Sequence, residues 1–246
     1  MRRRSSVIDE EAGLTALRDA RARVLERIAA AAARAGRPPG EVRLVAVAKT
    51  IPVDRLRVAL VAGLDVLGEN RVQEGVAKAP HLPGATWHLV GPLQANKVRP
   101  ALATFDVIET VDSVELIPRI ARIAAEIGHP GYPVLLQVNV DRDPAKAGFA
   151  PDTLDPAFDA IEETSLTIRG LMTVGRAVER AADARRTFAA LRELSVGLRA
   201  RFPRLGPDLS MGMSDDYAEA VEEGATIVRV GRALFGERHP VGRAGG

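Results

Sequence analysis

Between residues 44 and 236, a short apolar run is followed by a helix-patterned stretch eight times over. The runs are "LVAVAK", "DVLGEN", "TWHLVG", "DVIETV", "YPVLLQVNV", "LTIRGLMTVG", "DLSMGMS" and "TIVRVG". After them come, in order, "VDRLRVALVAG", "RVQEGVAKA", "ANKVRPALAT", "SVELIPRIARIAAEIG", "PDTLDPAFDAIEE", "ADARRTFAALRELSVGLRARF", "DYAEAVEEG" and a short "RALFG". Near-continuous apolar strands are covered on both faces, and alternation with helices makes them parallel. Eight units in about 200 residues predict an α/β chain folded as a closed (β/α)8 TIM barrel. An open doubly wound sheet is the structural alternative. Ahead of the first strand, residues 12–35 predict an extra N-terminal helix, with Leu14, Leu17, Val24, Leu25 and Ile28 on one face. "GRPPGE" ends it. No linker or composition shift divides the chain. The expected organisation is a single barrel domain over 12–238, with flexible ends at 1–11 and 239–246.

Composition narrows the function classes. Hydrophobic residues make up 46% of the chain and aromatics only 4%, so aliphatic side chains must fill the core. There is no cysteine, which excludes disulfides, thiolate metal sites and cysteine nucleophiles. That fits the reducing cytoplasm, the expected location. The net charge is +2, and acids and bases are interspersed without a basic patch rich in aromatics, so no nucleic-acid partner is expected. "MRRRSS" resembles the basic start of a signal peptide, but the acidic "IDEEAG" follows it. No run approaches the roughly 18 apolar residues of a membrane span. GxGxxG, GxxxxGK and HExxH motifs are absent, and the four histidines have no metal-ligand spacing.

In such a barrel, chemistry gathers at the C-terminal ends of the strands. Those ends carry Lys49, Asn70, His88, Asn139, Met172 with Thr173, "SMGMS" and "RVGR". An amine at the mouth of an apolar strand loses hydration, which lowers its pKa. A neutral amine can then attack an aldehyde and form a Schiff base. The plainer alternative is an ion pair, with Glu69 as the candidate partner. Loops after strands 7 and 8 often hold phosphate in this fold. Gly212 would let the backbone approach a ligand, Ser214 offers a hydroxyl, and Gly231, Arg232 and Ala233 open a short helix whose N–H groups suit an anion. Ordinary turn chemistry would account for either motif alone. Arg229 either pairs with an acid such as Glu109 or Asp215, or points at the ligand. A phosphate cradle facing a lysine suits a phosphorylated aldehyde.

The stretches "LVAVAKT", "LGENRVQE", "WHLVGPLQANK", "VLLQVNV", "GLMTVG" and "LSMGMSDDYAEAVEEGATIVRVGRALFG" resemble the pyridoxal 5′-phosphate (PLP) homeostasis proteins, in order, over about residues 40–238. That family shares the barrel of alanine racemase, PLP fold type III. The resemblance implies that PLP is the cofactor, held as a Schiff base on Lys49. It also implies Arg229 at the pyridine nitrogen, Ser214 and the backbone of Gly231 and Arg232 on the phosphate, and Asn70 near the ring. One departure is visible: position 232, often a small hydroxyl residue in the family, is Arg here. The implied function is binding and supplying PLP in intracellular vitamin B6 balance, with PLP-dependent apoenzymes as partners. No membrane is involved, and a monomer or weak dimer is expected. An arginine at the ring nitrogen keeps its proton, so the ring is a poorer electron sink, and the chain has no length for the second domain that gives the racemase its opposing base. Two enzymatic alternatives stay open: an amino-acid racemase of low activity, and a Schiff-base aldolase acting on a phosphosugar.

Overall fold

The computed structural model describes residues 2–176 and 178–236, with the backbone alone for residues 2–10. The end of the expected domain at 238 and the expected loose tail 239–246 lie outside the described residues, as does Met1. Eight parallel strands close into one barrel in chain order. They are β1 (Arg43–Val47), β2 (Val66–Glu69), β3 (Thr86–Leu89), β4 (Val107–Val111), β5 (Pro133–Gln137), β6 (Thr167–Met172), β7 (Asp208–Ser210) and β8 (Ile227–Val230). Closure is made by β1 pairing with β8, which sets Val45 opposite Arg229. The open doubly wound alternative is thereby excluded.

Helices follow the strands as the alternation predicts: α2 (Val53–Val61), α3 (Val72–Lys78), α4 (Val98–Leu102), α5 (Leu116–Glu126), α6 (Asp155–Glu162), α7 (Arg185–Arg201), α8 (Tyr217–Glu222) and α9 (Arg232–Phe235). They are preceded by α1 (Arg2–Arg34), which starts ten residues before the helix expected from its apolar stripe. Leu17, Ala20, Val24, Ile28, Ala31 and Ala32 are buried at helical spacing, and α1 lies against α2, α8 and α9.

Two apolar layers result. The larger one lies between the strands and the helices and includes Ala46, Ala48, Leu67, Trp87, Leu89, Leu209, Val228 and Val230. The smaller one fills the barrel interior with Val45, Val90, Val107, Leu135, Met172 and Ile227. Each fully buried Val, Leu or Ile contributes about 1.5–3 kcal/mol to burial. Successive strand side chains face opposite sides, so the membership of these layers gives the facing of β1, β2, β3, β7 and β8. In β4 and β6 the alternation is interrupted, with Ile108 and Val111, and Ile168 and Leu171, three apart in the outer layer where the register shifts.

Candidate active site at the barrel mouth

Alternation along β1 sends Val45 inward and Ala46 and Ala48 outward. Val47 and Lys49 therefore continue the inward row, and both line a cavity of about 400 Å³ at the C-terminal mouth. Immediately after Lys49, Thr50 adopts φ 67°. This left-handed turn is unfavourable for a β-branched residue, and it turns the chain directly after the lysine, just past the end of β1 at Val47.

On β2, a Cβ added to Gly68 would press on Val45 and Val90 of the inner layer, so Gly68 faces inward. Asn70, two residues on, lines the cavity. Glu69 consequently faces the helices. Its carboxylate binds Lys78 Nζ at 2.5 Å, and the same ammonium donates to the Ala48 carbonyl at 2.9 Å. Glu69 Oε2 accepts the Asn70 N–H at 3.2 Å. The partner suggested for Lys49 by sequence thus belongs to Lys78, on the other side of the sheet. The ion pair ties the backbone beside Lys49 to the backbone of Asn70. Burial dominates the carboxyl of Glu69 and holds its pKa above the ordinary value, although Lys78 opposes the shift.

Beneath the cavity, four buried polar side chains form a chain across the interior. His88 Nδ1 lies 2.5 Å from Glu109 Oε1. Ser210 Oγ donates to Glu109 Oε2 at 2.5 Å, and Arg229 Nη1 donates to Ser210 Oγ at 2.6 Å. Arg229 Nη2 donates to the Thr173 carbonyl at 2.7 Å. Burial opposes the charge on Glu109 most strongly, yet His88, Arg229 and Ser210 together hold its pKa below the ordinary value. Of the acids expected beside Arg229, Glu109 is reached through Ser210. Asp215 instead pairs with Arg232 at the surface. Arg229 itself lines the cavity.

The strand 7 and 8 loops complete the mouth. Ser214 Oγ accepts the N–H groups of Gly231 and Ala233, each at 3.3 Å. Gly231 continues the inward row of Ile227 and Arg229, and its missing Cβ leaves backbone exposed to the cavity. Gly212 does not line the cavity. It turns at φ 90°, where a Cβ would meet Ala220 at 2.5 Å, so it serves the packing of α8 rather than a ligand.

All six residues singled out as ligand contacts, Lys49, Asn70, Ser214, Arg229, Gly231 and Arg232, line the one cavity. Asn139 does not. Its side chain holds the loop at Asp143 and Lys146. The Glu69–Lys78 pair was not foreseen, although strand alternation alone would have turned Glu69 away from Asn70. Among the described residues no cluster of metal-ligating side chains occurs, and no helix is long and apolar enough to cross a membrane.

The sequence matches the family described as alanine racemase, N-terminal domain, over residues 20–239. It is 42% identical over 221 residues to the pyridoxal phosphate homeostasis protein of Pseudomonas aeruginosa, covering 88% of this chain and 94% of that one. To the protein of the same name from Escherichia coli it is 39% identical over 227 residues, covering 88% and 94%. PipY of Synechococcus elongatus, solved with PLP bound, is 42% identical with a TM-score of 0.75, over 87% of this chain and all of that one. The chain belongs to the pyridoxal phosphate homeostasis protein family, built on the alanine racemase N-terminal barrel.

Proposed function

We propose that this protein binds PLP at the barrel mouth and maintains the intracellular supply of that cofactor. One observation carries the reading: an amine, an anion cradle and a buried guanidinium converge on one cavity. The donor set fits the group. Lys49 would hold the aldehyde carbon as a Schiff base. Ser214 and the backbone at Gly231 and Arg232 would hold the phosphate. Asn70 would lie near the ring, and Arg229 would face its nitrogen. PLP supplies a reactive aldehyde and a conjugated ring when bound.

The chain's own groups favour storage over turnover. Arg229 keeps its proton, so it leaves the ring nitrogen unprotonated. Glu69 is engaged with Lys78 and Glu109 with His88 and Ser210. On this reading the barrel domain carries the function. It works in the cytoplasm as a monomer or weak dimer and passes PLP to apoenzymes.

The test is titration of the purified protein with PLP and with pyridoxal, followed by borohydride reduction and mass mapping. The label is expected on Lys49, and Lys49→Ala should abolish it. A hydrogen bond to a charged group contributes about 1.5–3 kcal/mol, so Ser214→Ala should weaken PLP binding roughly 10- to 100-fold. Pyridoxal should bind more weakly still. A label on Lys97 or Lys146, or equal affinity for both aldehydes, would overturn the assignment.

A further inference from the structure

His88 Nε2 is buried and has no hydrogen-bond partner among the described residues. A buried polar atom left so has lost its water without gaining a hydrogen bond in exchange. The side chain sits in a layer that barrels ordinarily fill with Val, Ile or Leu. Here that layer holds His88 from β3, Glu109 from β4, Ser210 from β7 and Arg229 from β8, each at most 4% exposed. Well-packed apolar residues in place of a buried ion pair are often neutral or stabilising. Stability therefore does not explain this choice of residues, and a requirement at the site does.

The direction of the chain shows what that requirement is. Of the four, only Arg229 lines the cavity. The other three converge on it: His88 on Glu109, Glu109 on Ser210, Ser210 on Nη1. The Thr173 carbonyl takes Nη2 from the other side. A guanidinium is planar, with its five N–H donors in a fixed fork. Holding both terminal nitrogens fixes that plane, and with it the heading of every remaining N–H.

We propose that His88, Glu109 and Ser210 are positioning residues that aim Arg229 at the ring nitrogen, making the protein selective for a ring that offers an unprotonated nitrogen acceptor. This rests on the PLP reading above. Selectivity of this kind is expected because a buried donor left facing a C–H loses its hydrogen bond outright.

The experiment compares PLP with its carbocyclic analogue, the same phosphorylated hydroxyaldehyde with a ring C–H in place of nitrogen. Dissociation constants are measured for wild type, Ser210→Ala, Glu109→Gln and His88→Gln, with borohydride labelling of Lys49 in parallel. Wild type should prefer PLP roughly 10- to 100-fold. The variants should lose much of that preference while both aldehydes still label Lys49. Differences in aldehyde reactivity between the two ligands cancel when the ratio is compared across variants. Ser210→Ala keeps both buried charges, so it stays informative if Glu109→Gln fails to fold. Equal loss of affinity for both ligands would reduce the three residues to a structural role and overturn the proposal. So would a wild type indifferent to the ring atom. Absence of a Lys49 label with either aldehyde would overturn the PLP reading itself.

Discussion

Glu69 and Glu109 are both fully buried on strands, yet they stand on opposite sides of the sheet and behave oppositely. Glu69, on the helix side, has one ammonium and one backbone N–H, and burial, with the Glu74 carboxylate nearby, keeps its pKa raised. Glu109, inside the barrel, has an imidazole, a hydroxyl and a nearby guanidinium, and its pKa is lowered despite complete burial. Burial alone does not decide the charge of a carboxyl; the hydrogen bonds to it and the sign of the charges beside it decide it too. The outer pair fixes backbone at the mouth, whereas the inner chain fixes a side chain beneath it.

Breaking the inner chain should have the largest effect. Glu109→Ala strands Arg229 as an uncompensated buried cation, and removal of one partner of such a pair costs about 3–5 kcal/mol. Urea unfolding measures it. A cost no greater than that of breaking the outer pair would erase the distinction between the two sides.

The outer pair should yield less. Lys78→Met leaves Glu69 without its ammonium, at a cost of about 1–3 kcal/mol near neutral pH. That cost should shrink in acid. A folded-state pKa raised above 4.5 means the folded protein binds the proton more tightly, so a neutral Glu69 relieves the variant as pH falls. Glu109 has the opposite sign. Its contribution is present above 4.5 and lost as pH falls through the lowered folded value. Unfolding midpoints of Lys78→Met and wild type, followed from neutral into acid pH, should therefore converge. Parallel curves would show that Glu69 stays ionised without its partner.

The smallest effect sets a baseline for both. Arg232 and Asp215 pair at the surface, with side chains 52% and 76% exposed. Exposed pairs contribute about 0–1 kcal/mol, so Arg232→Ala should barely move the urea midpoint. A larger shift would give the unusual arginine at this position a structural role beyond its backbone N–H.

The order of residues alone determined the eight strand–helix units, the parallel barrel and the mouth positions of Lys49, Asn70, Ser214 and Arg229. Strand and helix periodicities are local, and the barrel rule places chemistry at strand ends without knowledge of any contact. The same locality hides partners. Glu69 looked available to Lys49 because the two strand ends adjoin, but the facing of β2 gives it to Lys78. Arg229 had two candidate acids, and only closure of β1 on β8 and the facing of β4 and β7 brought Glu109 to it through Ser210. Gly212 read as room for a ligand, and the packing of α8 made it room for a helix. Closure and stagger decide which side chains meet across the interior. Those contacts join residues as far apart as Glu109 and Ser210, 101 positions along the chain, and local periodicity carries no record of them.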